Sequence, residues 1–102
     1  MKVYLSGPMS GIPEFNFPLF NTEAAELRRL GYAVVNPVDI NPDHSTPWSA
    51  CLREDLRALL DCDAVAVLPG WEKSRGATLE VFVAAQIGLR IVDVGTLKDI
   101  PA

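Results

Sequence analysis

Residues 64–80 read AVAVLPGWEKSRGATLE, and the order of residue types in this stretch decides the architecture. AVAVL (64–68) is a short, uncharged, β-favouring run bounded by a turn pair, Pro69 and Gly70, which is how a buried strand reads. A glycine-bearing loop follows, and the chain then turns helical near Ala77. Glu80 falls in the first turn of that helix, whose remaining body, VFVAAQIG (81–88), carries no charge. Strand, loop and helix in this order form half of a βαβ unit.

Outward from this stretch the same rhythm repeats. KVYLS (2–6), YAVV (32–35) and RIVDV (90–94) are further β-rich runs, each separated from the next by a helical pattern. The first helix is expected to open at Asn16 as N-cap, to take Pro18 in its first turn, and to end at Gly31. The second has Thr46 ahead of Pro47 as its start signal and runs to about Asp61; the third runs from near Ala77 to Gly88. Right-handed crossovers between such strands build a parallel sheet covered by helices on both faces. The expected fold is α/β, a Rossmann-like or flavodoxin-like three-layer sandwich with a four-stranded parallel sheet in the order 2-1-3-4. The first helix lies on one side, with the other two opposite it or divided between the faces. Residues 1–102 form one domain in this reading, with no repeat or linker.

Ligands of open parallel sheets bind beyond the carboxyl ends of the strands, where the connections reverse. Three loops arrive there: SGPMSG after strand one, the eleven-residue NPVDINPDHST after strand two, and PGWEKSRG after strand three. The middle one is long for so small a domain, as functional loops often are.

Composition narrows the ligand. Of 102 residues 49% are hydrophobic and 22% charged, the balance of a soluble globular chain. A net charge of −4 supplies no basic footprint for a nucleic acid polymer, so a small molecule is expected. No run approaches the length of a membrane span and no secretory signal opens the chain, so a cytoplasmic location without membrane attachment is expected. Cys51 and Cys62 fit neither a C-x-x-C nor a zinc pattern and read as reduced, packed thiols. His44, the only histidine, reads as an exposed loop residue, and neither a metal nor another cofactor is expected. The absence of G-x-G-x-x-G after strand one argues against a dinucleotide-dependent oxidoreductase.

Two carboxylates stand where apolar residues are expected. On a wheel at about 100° per residue, Trp48, Cys51, Leu52, Leu56, Leu59 and Leu60 share one half of the second helix, and Asp55 falls among them. Arg53, Glu54, Arg57 and Asp61 fall outside. A carboxylate on the core side is costly unless paired or facing a cavity, so Asp55 is either a satisfied structural acid or a site residue. Glu80 lies where the positive end of a helix favours an anion, so it is either a helix-start carboxylate or a reactive one. An ionised, desolvated carboxylate suits attack on a carbon that develops positive charge, and a second carboxyl can then protonate the leaving group. Paired carboxyls of this kind are a signature of glycosidic bond cleavage. The all-round apolar character of the third helix also leads to the expectation of a homodimer or higher assembly that buries Val81, Phe82 or Ala85.

With YLSGPMSG, REDLRALLDCDAVAVLP and SRGATLE in this order, the chain resembles the nucleoside 2-deoxyribosyltransferase-like superfamily. It is similar in particular to the short bacterial and phage members and to 2'-deoxynucleoside 5'-phosphate N-hydrolases. The resemblance implies cleavage or transfer at the N-glycosidic bond of a nucleoside or its 5'-monophosphate. It makes Glu80 the nucleophile at C1', Asp55 the acid for the departing base, and Tyr4 the residue that orients Glu80. Ser74 matches a serine near the 5'-phosphate in the hydrolase branch, where the transferases carry an aspartate. Gly7, Met9, Ser10 and Gly11, with Trp71 and Gly76, would surround the substrate. The chain departs from the hydrolase pattern at Pro8 and Ser10, which stand where that branch has phosphate-contacting serine and arginine. Its tail, GTLKDIPA, has no equivalent of the residue that a neighbouring subunit lends to the site. LPGWEKSRGATLE is also similar, more loosely, to the P-G-G-x-G-T-x-x-E loop of lysine-decarboxylase-like phosphoribohydrolases, with Trp71 in place of the second glycine. Tyr4 also reads as strand packing, Ser74 as a loop serine, and Gly7 and Gly11 as turn residues; Trp71, Phe15 and Phe17 could stack on a base or anchor loops. The alternative at the level of function is a non-catalytic module that binds a nucleotide or a nucleotide-derived signal.

Overall fold

The computed structural model describes residues 1–43 and 45–99, and the reading of His44 lies outside them. Four strands, β1 (Lys2–Ser6), β2 (Ala33–Val35), β3 (Ala64–Val67) and β4 (Arg90–Asp93), form one sheet in the order β2-β1-β3-β4. Every pairing is parallel, with Tyr4 between Val35 and Val65 and Ser6 beside Val67. The expected Rossmann-like order is therefore observed, and the switch point lies between β1 and β3.

Alternation along the two central strands assigns the layers. Val3, Leu5, Ala66 and Leu68 face a core completed by Phe20, Ala24 and Leu27 of α1 (Phe17–Arg29). Val38 of α2 (Pro37–Ile40) and Val94 and Leu97 of α5 (Val94–Asp99) close the same layer. Tyr4, Val65 and Val67 face the other way, towards Leu59 of α3 (Trp48–Leu59), Cys62, and Ala84 of α4 (Arg75–Gln86). The second and third helices of the sequence reading, α3 and α4, thus share the face opposite α1.

Several boundaries differ from expectation for local reasons. Asn16 does not cap α1 with its side chain: Glu14, Phe15 and Asn16 have φ of 56°, 53° and 62°, a left-handed turn for non-glycine residues. The Asn16 amide instead donates to the Pro8 carbonyl at 3.0 Å and ties the loop after β1 to the start of α1. Gly31, at φ 102°, ends α1 as its position suggests. Helix α3 stops at Leu59, so Leu60, which the wheel places among the apolar positions, is exposed. Helix α4 begins two residues before Ala77, because Ser74 caps it: its Oγ accepts the Ala77 amide at 3.2 Å. Helices α2 and α5 lie in segments read as loop and tail. Cys51 and Cys62 are free thiols. Among the described residues no helix is long and apolar enough to cross a membrane.

Candidate active site

A cavity of about 610 Å³ opens beyond the carboxyl end of β1, beside the switch point. Its floor carries Glu80, which is buried although charged residues seldom are. Tyr4 and Ser6 alternate onto the same face of β1 and aim both hydroxyls at that carboxylate. Tyr4 Oη donates to Oε2 at 2.6 Å, and Ser6 Oγ donates to Oε1 at 2.7 Å. All three side chains are buried, so Glu80 is fixed in position by two short hydrogen bonds away from water.

Burial raises the Glu80 pKa to about 7; the two hydroxyls pull it down and the nearby Asp55 charge pushes it up. Because α4 begins at Arg75, Glu80 is its sixth residue and lies past the first turn in which the sequence reading placed it, beyond the free amides of the helix start. Tyr4 is pushed well above its ordinary value by burial and by the charges of Glu80 and Asp55, so it remains a donor at every physiological pH.

Asp55 opens onto the same cavity from α3. Burial raises its pKa to about 6, against a lowering by the neighbouring Asn41 amide. That amide is close enough to act on the charge, yet it forms no hydrogen bond within normal geometry: Asn41 Nδ2 and Asp55 Oδ1 are both buried without a partner. Asp55 thus lies beside the cavity with the Asn41 amide as its neighbour.

The remaining walls come from the expected loops. Gly7, Met9 and Ser10 line the cavity after β1, with Phe15 and Phe17, whose rings lie 6.2 Å apart. Gly7 is required by close approach: a Cβ there would lie 2.7 Å from Leu68 Cβ. Ser74 and Gly76 line the opposite wall. Gly11 is not among the lining residues; it makes a turn at φ 81° in open space. Trp71 is not among them either: it packs against the core cluster that contains Tyr4 and borders a separate, smaller crevice with Pro69 and Asp93.

Sequence reasoning missed Asn41, Trp48, Lys73 and Arg75 of this wall, and Ser6 behind Glu80. Ser6 carried a usable signal, since it lies two positions after Tyr4 on a strand and must share its face. Lys73 and Arg75 flank Ser74 and bring cations to the mouth. The Arg75 guanidinium lies 4.2 Å from the centroid of the Trp48 ring, tying the starts of α3 and α4 together. Asn41 gave no signal in a loop full of prolines and acids. Among the described residues no group of three His, Cys, Asp or Glu side chains could hold a metal.

The fold and this pocket define a Rossmann-like α/β domain with two carboxyl groups at the switch point of its sheet. Over residues 1–93 the chain matches the family described as a domain of unknown function, DUF4406, and it belongs to that family. No curated protein matches it.

Proposed function

We propose that this protein cleaves, or transfers across, the N-glycosidic bond of a deoxynucleoside or nucleoside, with the 5'-monophosphate as the favoured form. One observation carries the reading: a buried carboxylate gripped through both oxygens faces a cavity that also holds a second, incompletely hydrogen-bonded carboxyl. Glu80 attacks C1' while the electron pair of the C1'–N bond leaves with the base. Asp55 delivers its proton to the base, and water or a second base then releases the sugar from Glu80. Lys73, Arg75 and the first amides of α4 supply positive potential for a phosphate, and Phe15, Phe17 and Trp48 supply apolar surface for a base. Ser74 spends its oxygen on the helix cap and keeps its hydroxyl hydrogen for an anion.

The active form needs Glu80 ionised and Asp55 protonated. Because Glu80 titrates at about 7 and Asp55 at about 6, this arrangement is the minority singly protonated form. Activity is expected to follow a narrow bell between those two values. The test is incubation with deoxynucleosides and their 5'-monophosphates and chromatography for free base, with Glu80→Ala as control. Free base from the wild type alone supports the reading. Tight binding without release moves the protein to the non-catalytic nucleotide-binding alternative, and neither binding nor release removes both.

The proposal extends to assembly. Leu79, Phe82, Ala85 and Ile87 of the α4 segment are exposed beside Ile91 on the edge strand β4, with Phe82 63% accessible, while Val81 is half-buried. A second copy covering this surface makes a homodimer, so light scattering at micromolar concentration should give twice the chain mass. Phe82→Asp should return it to a monomer.

A further inference from the structure

Among the described residues, the non-glycine positions with positive φ are Glu14, Phe15 and Asn16, and they are consecutive. Their φ/ψ values of 56°/26°, 53°/27° and 62°/15° make a left-handed turn without a glycine. Each such residue is disfavoured because its Cβ crowds the neighbouring carbonyl, and of the three only asparagine visits the region readily. An extended Asn16 capping α1 ahead of Pro18 would avoid this strain. The turn changes where a side chain goes. Two positions apart on a right-handed helix, Phe15 and Phe17 would project about 200° apart, on opposite sides. Here both rings line the cavity, with centroids 6.2 Å apart and planes inclined by 46°. Phe17 packs against the core beneath α1, whereas Phe15 keeps 38% of its surface accessible. The strain therefore brings a second aromatic ring onto the cavity wall, and backbone strain of this kind clusters at ligand sites.

Two hydrogen bonds hold the turn. The Phe15 amide donates to the Ile12 carbonyl at 2.9 Å, and Asn16 Nδ2 donates to the Pro8 carbonyl at 3.0 Å. Pro8, Met9 and Ser10 line the same cavity, so the Asn16 bond fastens the turn to the loop that faces the ligand. We propose that Phe15 is a specificity-determining residue, the platform on which the planar base of the substrate lies, and that Asn16 is the positioning residue that keeps it there. This rests on the N-glycosidic reading above and names the part of the substrate that the chain after β1 recognises. Stacking tolerates every base, because every base has a π face, so this wall selects a flat heteroaromatic leaving group rather than one particular base. Phe15 exchanges neither protons nor electrons; it holds the base while the bond to C1' breaks.

The experiment is titration calorimetry in the Glu80→Gln background, where turnover does not interfere, with deoxyadenosine 5'-monophosphate and with 2-deoxyribose 5-phosphate, which lacks the base. Phe15→Ala should weaken the nucleotide about five- to hundredfold and the sugar phosphate by less than about twofold. Phe15→Trp, which keeps a flat ring, should bind the nucleotide within about threefold of the parent, and Phe15→Leu, which keeps only apolar bulk, should not. Asn16→Ala should weaken the nucleotide too, but on top of Phe15→Ala it should add less than about twofold, because the ring it positions is already gone. If Asn16→Ala does not fold, judged by circular dichroism, Asn16→Gly takes its place, since glycine adopts a φ of 62° freely and carries no amide. An equal loss on both ligands, no loss on either, or leucine as good as tryptophan overturns the platform, and release of free base by the wild type then leaves the N-glycosidic reading intact. An additive cycle overturns the role of Asn16. If the sugar phosphate binds too weakly to titrate, the comparison of tryptophan with leucine decides. Failure of the wild type to bind or cleave any nucleotide removes the underlying reading and the platform with it.

Discussion

The two faces of the sheet are built to different ends. Beneath α1 and α5, Val3, Leu5, Phe20, Leu27, Leu68 and Leu97 make a buried core without a charged member. Beneath α3 and α4, the same strand β1 contributes Tyr4 and Ser6, and α4 places Glu80 on top of them. One face follows the rule that burial selects apolar groups; the other breaks it within a few residues of the switch point. Hydrophobic burial alone would favour a residue such as leucine at position 80, so the carboxylate is retained against stability. That cost in stability is what the proposed activity would account for.

The largest expected effect removes that charge. Under the proposed N-glycosidic reaction, Glu80→Gln keeps shape and one acceptor but can neither attack C1' nor balance a cationic sugar, so turnover should fall by roughly a thousandfold or more. Stability should move in the opposite direction. A carboxyl whose pKa rises from 4.5 unfolded to about 7 folded binds its proton more tightly in the native state. The wild type therefore loses stability as pH climbs from about 4.5 through about 7, by about 3 kcal/mol, and is level above that. Denaturant melts at pH 4 and pH 8 should show the variant gaining on the wild type at the higher pH. A variant with undiminished turnover, or with the same pH slope as the wild type, breaks the contrast between the faces.

How much of this was legible depended on the range of the signal. The four strands, their parallel order and the helix faces followed from runs of residues that the packed structure leaves in place. Glu80 stood out because its helix carries no other charge, and Asp55 because it shares an arc with Leu52 and Leu59. Ser6 was hidden because SGPMSG reads as a turn, although strand alternation from Tyr4 already directed it. Helix α2 is four residues long in a segment of prolines and acids, too short to show a period, so Asn41 was invisible. Helix α5 rests on two buried residues, Val94 and Leu97, which no periodicity argument can raise above background. The left-handed run Glu14–Asn16 is a tertiary imposition, fixed by the Asn16 bond to Pro8, and ordinary capping rules point the other way there.

The orthodox face supplies the control. Leu27 is fully buried among Val3, Leu5 and their neighbours, and Leu27→Ala removes its packing and leaves a cavity, at a cost of about 2–5 kcal/mol. That loss should be the same at pH 4 and pH 8, because no titrating group belongs to the cluster. Any folded fraction should show the wild-type pH profile of turnover. A pH-dependent loss would mean that the two faces are coupled and that the contrast drawn between them is too sharp.

The smallest effect is the most specific, and it concerns Ser6. Its hydroxyl hydrogen bond lowers the Glu80 pKa, so Ser6→Ala raises it; a hydrogen bond to a charged group is worth about 1.5–3 kcal/mol, or about one to two pH units. The sign of the kinetic change follows from the order of the two carboxyls. In the proposed reaction Asp55, at about 6, loses its proton first and would set the acid limb, and Glu80, at about 7, loses its proton second and would set the alkaline limb. Raising the Glu80 pKa therefore moves the alkaline limb up and leaves the acid limb in place. It also makes the reactive singly protonated form, with the proton on Asp55, rarer by the same factor. The profile should broaden towards high pH by about one unit or more, while its maximum falls tenfold or more. Ser6→Thr, which keeps the hydroxyl, should restore both. A serine that only fills space would lower the maximum without moving either limb.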